Sequence, residues 1–351
     1  MSPSLELARA SYRDIALYSV ESAPCDVDLS DNTNLWGAPP ATTRALRDLA
    51  DSGFTRYPSA YANELKEAIA AYAGVDTSSI VTGCGSDDIL DSAIRAFAES
   101  GDRLACCTPT FAMIPIFARL NGVEIVSLPM TPTWDIDADA LAKTDARIIY
   151  VCSPNNPTGT AASRASLERL ITNASGVIIL DEAYAEFADD ARLDLAMMSD
   201  RVLIVRTMSK AFGLAGLRVG YAVGARSLVA EVEKSRGPYK VSIVGERAAV
   251  AALTQDRDWV AEHVSDARIA RTRLAEALRT LGLTPLPSQA NFLLVPVPHA
   301  IAVARRLREL GVAVRAFEAL PAVGDALRIT AGPPPMMDRL IAALEDALAC
   351  A

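Results

Sequence analysis

The sequence predicts an α/β protein in which a mostly parallel sheet lies between helical layers, followed by a smaller α+β part. Three observations carry this. Short, β-branched-rich runs recur through the first two thirds of the 351-residue chain, and each is continuous rather than alternating, as strands covered on both faces are. Helical stripes separate several of these runs. After Lys240 the pattern changes to one long helical stretch, then three more strand-like runs among helices.

Taken in order, Ala62 to Tyr72 carries a helical apolar stripe, and Gly74 follows as a stop signal. Ile80 to Thr82 reads as a strand. In Asp87 to Phe97 the apolar residues Leu90, Ala93, Ile94 and Phe97 fall three and four apart, one face of a helix. Further strands are expected at Arg103 to Cys106, Val123 to Val126, Ile148 to Cys152, Val177 to Leu180, Val202 to Val205 and Val219 to Val223. The later part is read as a helix over about Asp258 to Leu281, then strands Asn291 to Val295, Val312 to Arg315 and Leu327 to Thr330. Helices from Ala300 to Leu310 and Pro335 to Leu348 intervene and follow. The expected division is a large unit over residues 41–240, with 1–40 as an N-terminal arm and 241–351 as a small unit.

Composition narrows the function. Residues are 51% hydrophobic and 22% charged, a soluble globular balance. A formal net charge of −9 argues against a nucleic-acid partner, because a phosphate backbone calls for a basic surface. None of the six cysteines falls in a C-x-x-C pattern, so free thiols in a reducing cytoplasm are expected. Met1 to Glu6 lacks a basic region and an apolar core, and no apolar run approaches the ~20 residues of a membrane span. His263 and His299 show no metal-ligand spacing, and no metal is expected.

The most informative stretch is Arg206 to Arg218. Lys210 stands beside Ser209, with Thr207 three residues before and Arg218 eight after. Such a segment can hold a phosphorylated aldehyde cofactor covalently and clamp its phosphate. Lys210 also follows a predicted strand, at the carboxyl end where ligands sit in open α/β sheets.

That chemistry needs further parts, and the chain offers each at a strand end. Asp181 closes the run Val177 to Leu180 and can pair with a pyridine nitrogen. Tyr184, three residues on, can donate to the cofactor's phenolic oxygen. Ser153-Pro154-Asn155-Asn156-Pro157-Thr158-Gly159 turns tightly after another strand and fixes Asn156, a second donor to that oxygen. Gly83-Cys84-Gly85-Ser86-Asp87-Asp88 lies between strand and helix. Gly85 and Ser86 would present backbone N–H groups to an anion there, with Ser86 as the N-cap. Phe111 can stack on a ring, and Tyr57 can donate to a phosphate. Arg328, on an apolar strand, and Arg315, at the end of its neighbour, call for anionic partners.

Other readings stay open for single motifs. An apolar run ending in Asp-Glu also occurs in nucleotide triphosphatases, but their G-x-x-x-x-G-K-[ST] loop is absent. The glycine loop is also like that of S-adenosylmethionine methyltransferases, in which the lysine motif has no part. A regulator without turnover would need a fused DNA-binding segment, and none is seen.

Together these segments resemble the histidinol-phosphate aminotransferase family, within the fold-type I aminotransferases that use pyridoxal 5'-phosphate. The similarity runs from about Asp28 to the C-terminus. It rests on Arg56-Tyr57-Pro58, the Gly83 to Asp88 loop, Asn155 to Gly159, Asp181-Glu182-Ala183-Tyr184, Ser209 to Arg218, Ala290-Asn291-Phe292 and Leu327 to Thr330. The resemblance implies that Lys210 bonds the cofactor, Asp181 pairs with the ring nitrogen, and Asn156 and Tyr184 hold the phenolic oxygen. Phe111 stacks on the ring. Gly85, Ser86, Asp87, Thr207, Ser209 and Arg218 form the phosphate cup, and Tyr57 reaches it from a second copy in a homodimer with shared sites. Arg328 grips a substrate carboxylate or phosphate, helped by Arg315, Tyr18 and Asn34. The implied reaction converts L-histidinol phosphate and 2-oxoglutarate into imidazole acetol phosphate and L-glutamate. An aminotransferase for another amino acid, aromatic or from specialised metabolism, and a threonine-phosphate-type decarboxylase share the scaffold. The chain departs from the pattern at Asp31 to Gly37, where Trp36 is expected at the substrate mouth. It departs also at Lys240, where asparagine is usual, and at Phe111, where tyrosine is frequent.

Overall fold

A computed structural model describes residues 7, 9–13, 15–17, 25–49, 53–190 and 192–349. In chain order the strands and helices are β1 (Val27–Asp28), α1 (Pro40–Arg47), α2 (Asn63–Ala73), β2 (Ile80–Cys84), α3 (Gly85–Phe97), β3 (Arg103–Thr108), α4 (Met113–Leu120), β4 (Glu124–Pro129), α5 (Ala138–Ala142), β5 (Ile148–Cys152), α6 (Arg164–Asn173), β6 (Val177–Asp181), β7 (Val202–Thr207) and β8 (Val219–Gly224). They continue with α7 (Arg226–Arg236), α8 (Ile243–Gln255), α9 (Arg257–Thr280), β9 (Phe292–Pro296), α10 (Ala300–Glu309), β10 (Val312–Ala313), β11 (Arg315–Leu320), β12 (Gly324–Thr330) and α11 (Pro334–Ala349).

Seven strands form one sheet in the order β2-β8-β7-β6-β5-β3-β4. All neighbours run parallel except β8, which is antiparallel to both β2 and β7. The start of β8 therefore lies at the same rim as the carboxyl ends of β2, β5, β6 and β7.

Successive side chains of a strand point to opposite faces, and both faces are covered. On one face Ile149, Val151, Ile178, Leu180 and Ile204 pack under Leu65 and Ile69 of α2, Leu167 and Leu170 of α6, and the alanines of α8. On the other, Ile148, Tyr150, Ile179, Leu203 and Val205 pack under α3, α4 and α7 through Ile89, Leu90, Phe117 and Val232. Each such aliphatic side chain contributes about 1.5–3 kcal/mol by leaving water, so the two layers fix the rim firmly.

Local signals end and start the helices. Gly74 closes α2 at φ 70 with its N–H on Ala70 O. Ser163 and Ser242 cap α6 and α8 by accepting the Ser166 and Gly245 N–H groups. The loop before α3 differs from expectation: the helix begins at Gly85, after Cys84, and Ser86 lies inside the first turn rather than capping it.

The smaller sheet is antiparallel, in the order β11-β12-β9, and α10 and α11 pack beside it. The two-residue strand β1 pairs in parallel with β10, far along the chain; next to it the Leu29 N–H donates to Ala313 O and the Leu29 carbonyl accepts the Thr330 N–H. Residues 241–255 pack with the large layer, because Val241, Ala248, Ala249, Ala252 and Leu253 complete the core over α2. Among the described residues no helix is long and apolar enough to cross a membrane.

Candidate active site

A cavity of about 210 Å³ opens at the carboxyl rim of the large sheet. Its wall combines Ser86 and Asp87 of α3, Phe111, Cys152, Asn156, Asp181, Tyr184, Thr207, Ser209, Lys210 and Arg218 with Ser30, Asp31 and Asn32 and the two arginines Arg315 and Arg328. Five separate strand ends thus deliver their polar residues to one place.

Lys210 follows β7, and its Nζ donates to the Asp31 carbonyl at 2.9 Å. Burial, and then the Arg328 charge, bring its amine down to about 8. A lysine that readily gives up its proton is suited to nucleophilic and general-base work.

Asp181, the last residue of β6, is buried. Its Oδ2 accepts the Tyr150 hydroxyl at 2.7 Å, and its Oδ1 accepts the Ala183 N–H at 3.1 Å. Burial pushes the carboxyl up to about 6, and the Tyr150 hydrogen bond opposes the rise. The group remains largely ionised at neutral pH and can hold a protonated ring nitrogen.

Tyr184 is fully packed, edge-on to Phe292 with ring centroids 5.1 Å apart, and burial holds its phenol well above the ordinary range. Its oxygen accepts the Asn32 Nδ2–H at 3.1 Å, so its own proton is available to a ligand. Asn156 is arranged in the complementary way. Its Oδ1 accepts Arg328 Nη1 at 2.6 Å, which leaves its amide N–H groups as the donors for the cavity. The neighbouring Asn155 is spent on the turn itself, donating to Pro109 O and Thr158 Oγ1.

The anion cup is drawn from both sides of β8. Thr207 and Ser209 join through their hydroxyls at 2.9 Å, and Arg218 reaches Ser209 Oγ at 3.4 Å and Asp87 Oδ2 at 3.2 Å. Close approaches, by the Arg218 side chain at Gly85 and by backbone at Gly220, crowd out further side chains here. A Cβ on Gly85 would stand 2.5 Å from Arg218 Nη2, and one on Gly220 would stand 2.4 Å from both Gly85 C and Ser86 N. Arg218 itself is held at φ 52, a left-handed conformation that non-glycine residues seldom adopt.

One part of the wall is basic. Arg315 and Arg328 are directly opposed in the antiparallel β11–β12 pair, and both line the cavity. Like charges facing each other across a strand pair repel, and an anion between them relieves this. Arg328 is fixed further by Nη2 donating to Ser30 O at 2.6 Å.

Not every expected residue joins the cavity. Asn34 is engaged elsewhere, its amide on Ala211 O and its Oδ1 on the Trp36 N–H, and Asn32 faces the cavity instead. Tyr57 is 84% exposed and stacks on Tyr239 outside the cavity. Tyr18 lies outside the described residues. Trp36 is turned away from the mouth; it stacks on His263 and lines a groove between α9 and α11. Lys240 forms an ion pair with Asp88 at 2.9 Å behind the glycine loop, not in the cavity wall. Sequence reading missed Ser30, Asp31, Asn32 and Cys152 in the wall, and Tyr150 beneath it. Among the described residues no group of three or more His, Cys, Asp or Glu side chains is arranged to hold a metal ion.

The site's donors match pyridoxal phosphate part by part: an amine of lowered proton affinity, a buried carboxylate, two donors for a phenolic oxygen and a glycine-walled anion cup.

Comparison with known proteins agrees in extent and kind. The family described as aminotransferase class I and II matches residues 25–344. The chain is 36% identical over 333 residues to a protein of Roseiflexus castenholzii named histidinol-phosphate aminotransferase, covering 91% of this chain and 89% of that one. It is 36% identical over 360 residues to a protein of the same name from Methylibium petroleiphilum, covering 99% and 96%. The crystal structure of histidinol-phosphate aminotransferase from Sinorhizobium meliloti in complex with pyridoxal-5'-phosphate superposes with a TM-score of 0.86 at 26% identity, over 93% of this chain and 92% of that one. On this evidence the chain belongs to the class I and II aminotransferase family, with its fold-type I architecture.

Proposed function

We propose that this protein is a pyridoxal 5'-phosphate-dependent histidinol-phosphate aminotransferase, exchanging the amino group of L-histidinol phosphate with 2-oxoglutarate in histidine biosynthesis. One observation carries the reading: Lys210, Asp181 and the opposed pair Arg315 and Arg328 line one cavity. A covalent amine, a ring-nitrogen partner and a doubly cationic anion site are what a phosphorylated amino donor requires. Full-length likeness to proteins named for this activity supports the same substrate.

Bound here, the cofactor supplies an aldehyde that bonds amines and a ring that takes up the electrons left at the substrate Cα. Lys210 would hold it covalently, Asp181 would keep its nitrogen protonated, and Phe111 would cover one ring face. Asn156 and Tyr184 would hold the phenolic oxygen. Gly85, Ser86, Asp87, Thr207, Ser209 and Arg218 would surround its phosphate, each charge-assisted hydrogen bond worth about 1.5–3 kcal/mol. Lys210 Nζ, with its lowered proton affinity, would take the Cα proton at close range. Arg328 and Arg315 orient the substrate by its phosphate, or 2-oxoglutarate by a carboxylate.

The working unit in this reading is a homodimer. The exposed Tyr57–Tyr239 stack, with ring centroids 4.9 Å apart, is an aromatic surface for a second copy to cover, and it puts Tyr57 within that copy's reach. The buried free thiols Cys106, Cys107 and Cys152 suit a reducing compartment, and we place the protein in the cytoplasm.

A donor screen with 2-oxoglutarate tests the substrate. L-Histidinol phosphate should be the best donor. Equal or faster glutamate formation from phenylalanine or tyrosine would transfer the assignment to an aromatic aminotransferase, and carbon dioxide release without 2-oxoglutarate to a decarboxylase.

A further inference from the structure

Tyr150 lies in the middle of β5, buried within the sheet. β5 and β6 are paired in parallel with Cys152 opposite Asp181 and Tyr150 opposite Ile179. Tyr150 therefore sits one side-chain layer below Cys152, on the face that carries Asp181. Cys152 lines the cavity and Tyr150 does not. Its hydroxyl rises beneath the floor and ends 2.7 Å from Asp181 Oδ2.

A phenol in a central strand needs a partner for its O–H, and an apolar residue would fill the layer at lower cost. Here the partner is a buried carboxylate. Each Asp181 oxygen receives one donor, Tyr150 on Oδ2 and the Ala183 N–H on Oδ1, which fixes the plane of the carboxylate. Burial and the adjacent Asp181 charge hold the Tyr150 phenol far above its ordinary range, so it donates at any working pH. The other charges acting on Asp181, Asp87 of α3 and its neighbour Glu182, both push the carboxyl toward protonation. Tyr150 is the side chain that opposes them.

We propose that Tyr150 is a positioning residue for the cofactor ring: by holding Asp181 as an oriented carboxylate, its hydroxyl sets how fully the ring nitrogen stays protonated and so how strongly the ring draws electrons. The inference rests on the pyridoxal-phosphate reading of the site. Without the hydroxyl, Asp181 becomes the stronger base and draws the shared proton off the ring nitrogen. The ring loses positive charge. The nitrogen that joins Lys210 to the cofactor then holds its own proton more tightly.

The test is a spectrophotometric pH titration of the loaded enzyme, which reads that second nitrogen directly and needs no turnover. Tyr150→Phe keeps the ring and its packing and removes only the oxygen. Its midpoint should rise by about half a unit or more, part of the roughly one to two units that a charge-assisted hydrogen bond is worth to the carboxylate itself. Site-specific replacement of Tyr150 by 3-fluorotyrosine, a sharper donor of nearly the same shape, should move the midpoint down. It also decides the matter should the phenylalanine variant not fold. A midpoint unchanged from wild type in the variants that load cofactor would overturn the proposal. Failure of the wild-type protein itself to develop a titrating visible band with pyridoxal phosphate would instead overturn the cofactor reading on which it stands.

Discussion

Asn32 donates its amide proton to the Tyr184 hydroxyl at 3.1 Å, and this contact sets the polarity of the phenol. Tyr184 accepts from behind and donates in front. Asn32 is itself locked: its N–H and its Oδ1 both meet Thr330 Oγ1, at 3.1 and 3.2 Å, and its carbonyl accepts the Asn291 amide at 3.1 Å. Asn32→Ala should therefore lower kcat by about 2–10-fold, the worth of one neutral hydrogen bond. Asn32→Asp should do more damage, since a carboxylate can only accept and turns the phenolic proton away from the ligand. Steady-state kinetics of the two variants checks the order; equal effects would contradict it.

The Lys210 amine predicts a pH dependence for the cofactor-free protein. Its affinity for protons is lowered to about 8 from the ordinary 10.5. Folding therefore disfavours the charged form, and the cost is complete below pH 8. Between 8 and 10.5 the unfolded chain binds the proton and the folded one does not, so stability from this group rises with pH. Lys210→Met removes the charge. Its Tm advantage over the parent should be largest near pH 7 and shrink as pH passes through 8 to 10.5. Melting curves of both proteins without cofactor measure it; a difference that grew with pH would refute the assignment.

The facing arginines should separate by substrate. Arg328→Gln should raise KM for every anionic substrate by roughly 10–100-fold, the loss of charge-assisted hydrogen bonds. Arg315→Gln should penalise the phosphorylated donor more than glutamate, because a phosphate has oxygens for both guanidinium groups. KM values for the two donors with each variant decide it.

Gly220→Ala and Gly216→Ala form a matched pair. A Cβ at 220 would collide with the backbone of Gly85 and Ser86 at 2.4 Å, whereas one at 216 would meet nothing within 4 Å. The first should weaken cofactor retention and destabilise by about 1–3 kcal/mol, the ordinary cost of overpacking. The second should be neutral. Equilibrium dialysis of the cofactor and denaturant melts give both readings.

Much of the cofactor side was legible because it depends on local order. Asp181 and Lys210 follow apolar runs that end at the sheet rim, and Thr207, Ser209 and Arg218 stand within one short stretch beside the lysine. The remainder depends on where distant segments meet. Asn32 and Asn34 both lie in a polar turn, and only contact with Thr330, 298 residues away, shows that Asn32 faces inward. Tyr150 reads as one more apolar strand residue until β6 is laid beside β5. Trp36 follows the same turn but its ring is drawn to His263 on α9, a contact that no local pattern signals. The reversal of β8 was equally hidden, since a buried strand has the same apolar look in either direction.

Because β1 and the turn after it lean on β10, Thr330 and Asn291, the cavity wall joins the first and last parts of the polypeptide. During synthesis the seven-stranded sheet can assemble before residues 291–330 emerge, and until then Asn32 lacks the Thr330 and Asn291 partners that lock it. The lysine pocket is thus completed only after Thr330 has been made, and a product truncated before that residue, however well its sheet is folded, carries an unfinished site.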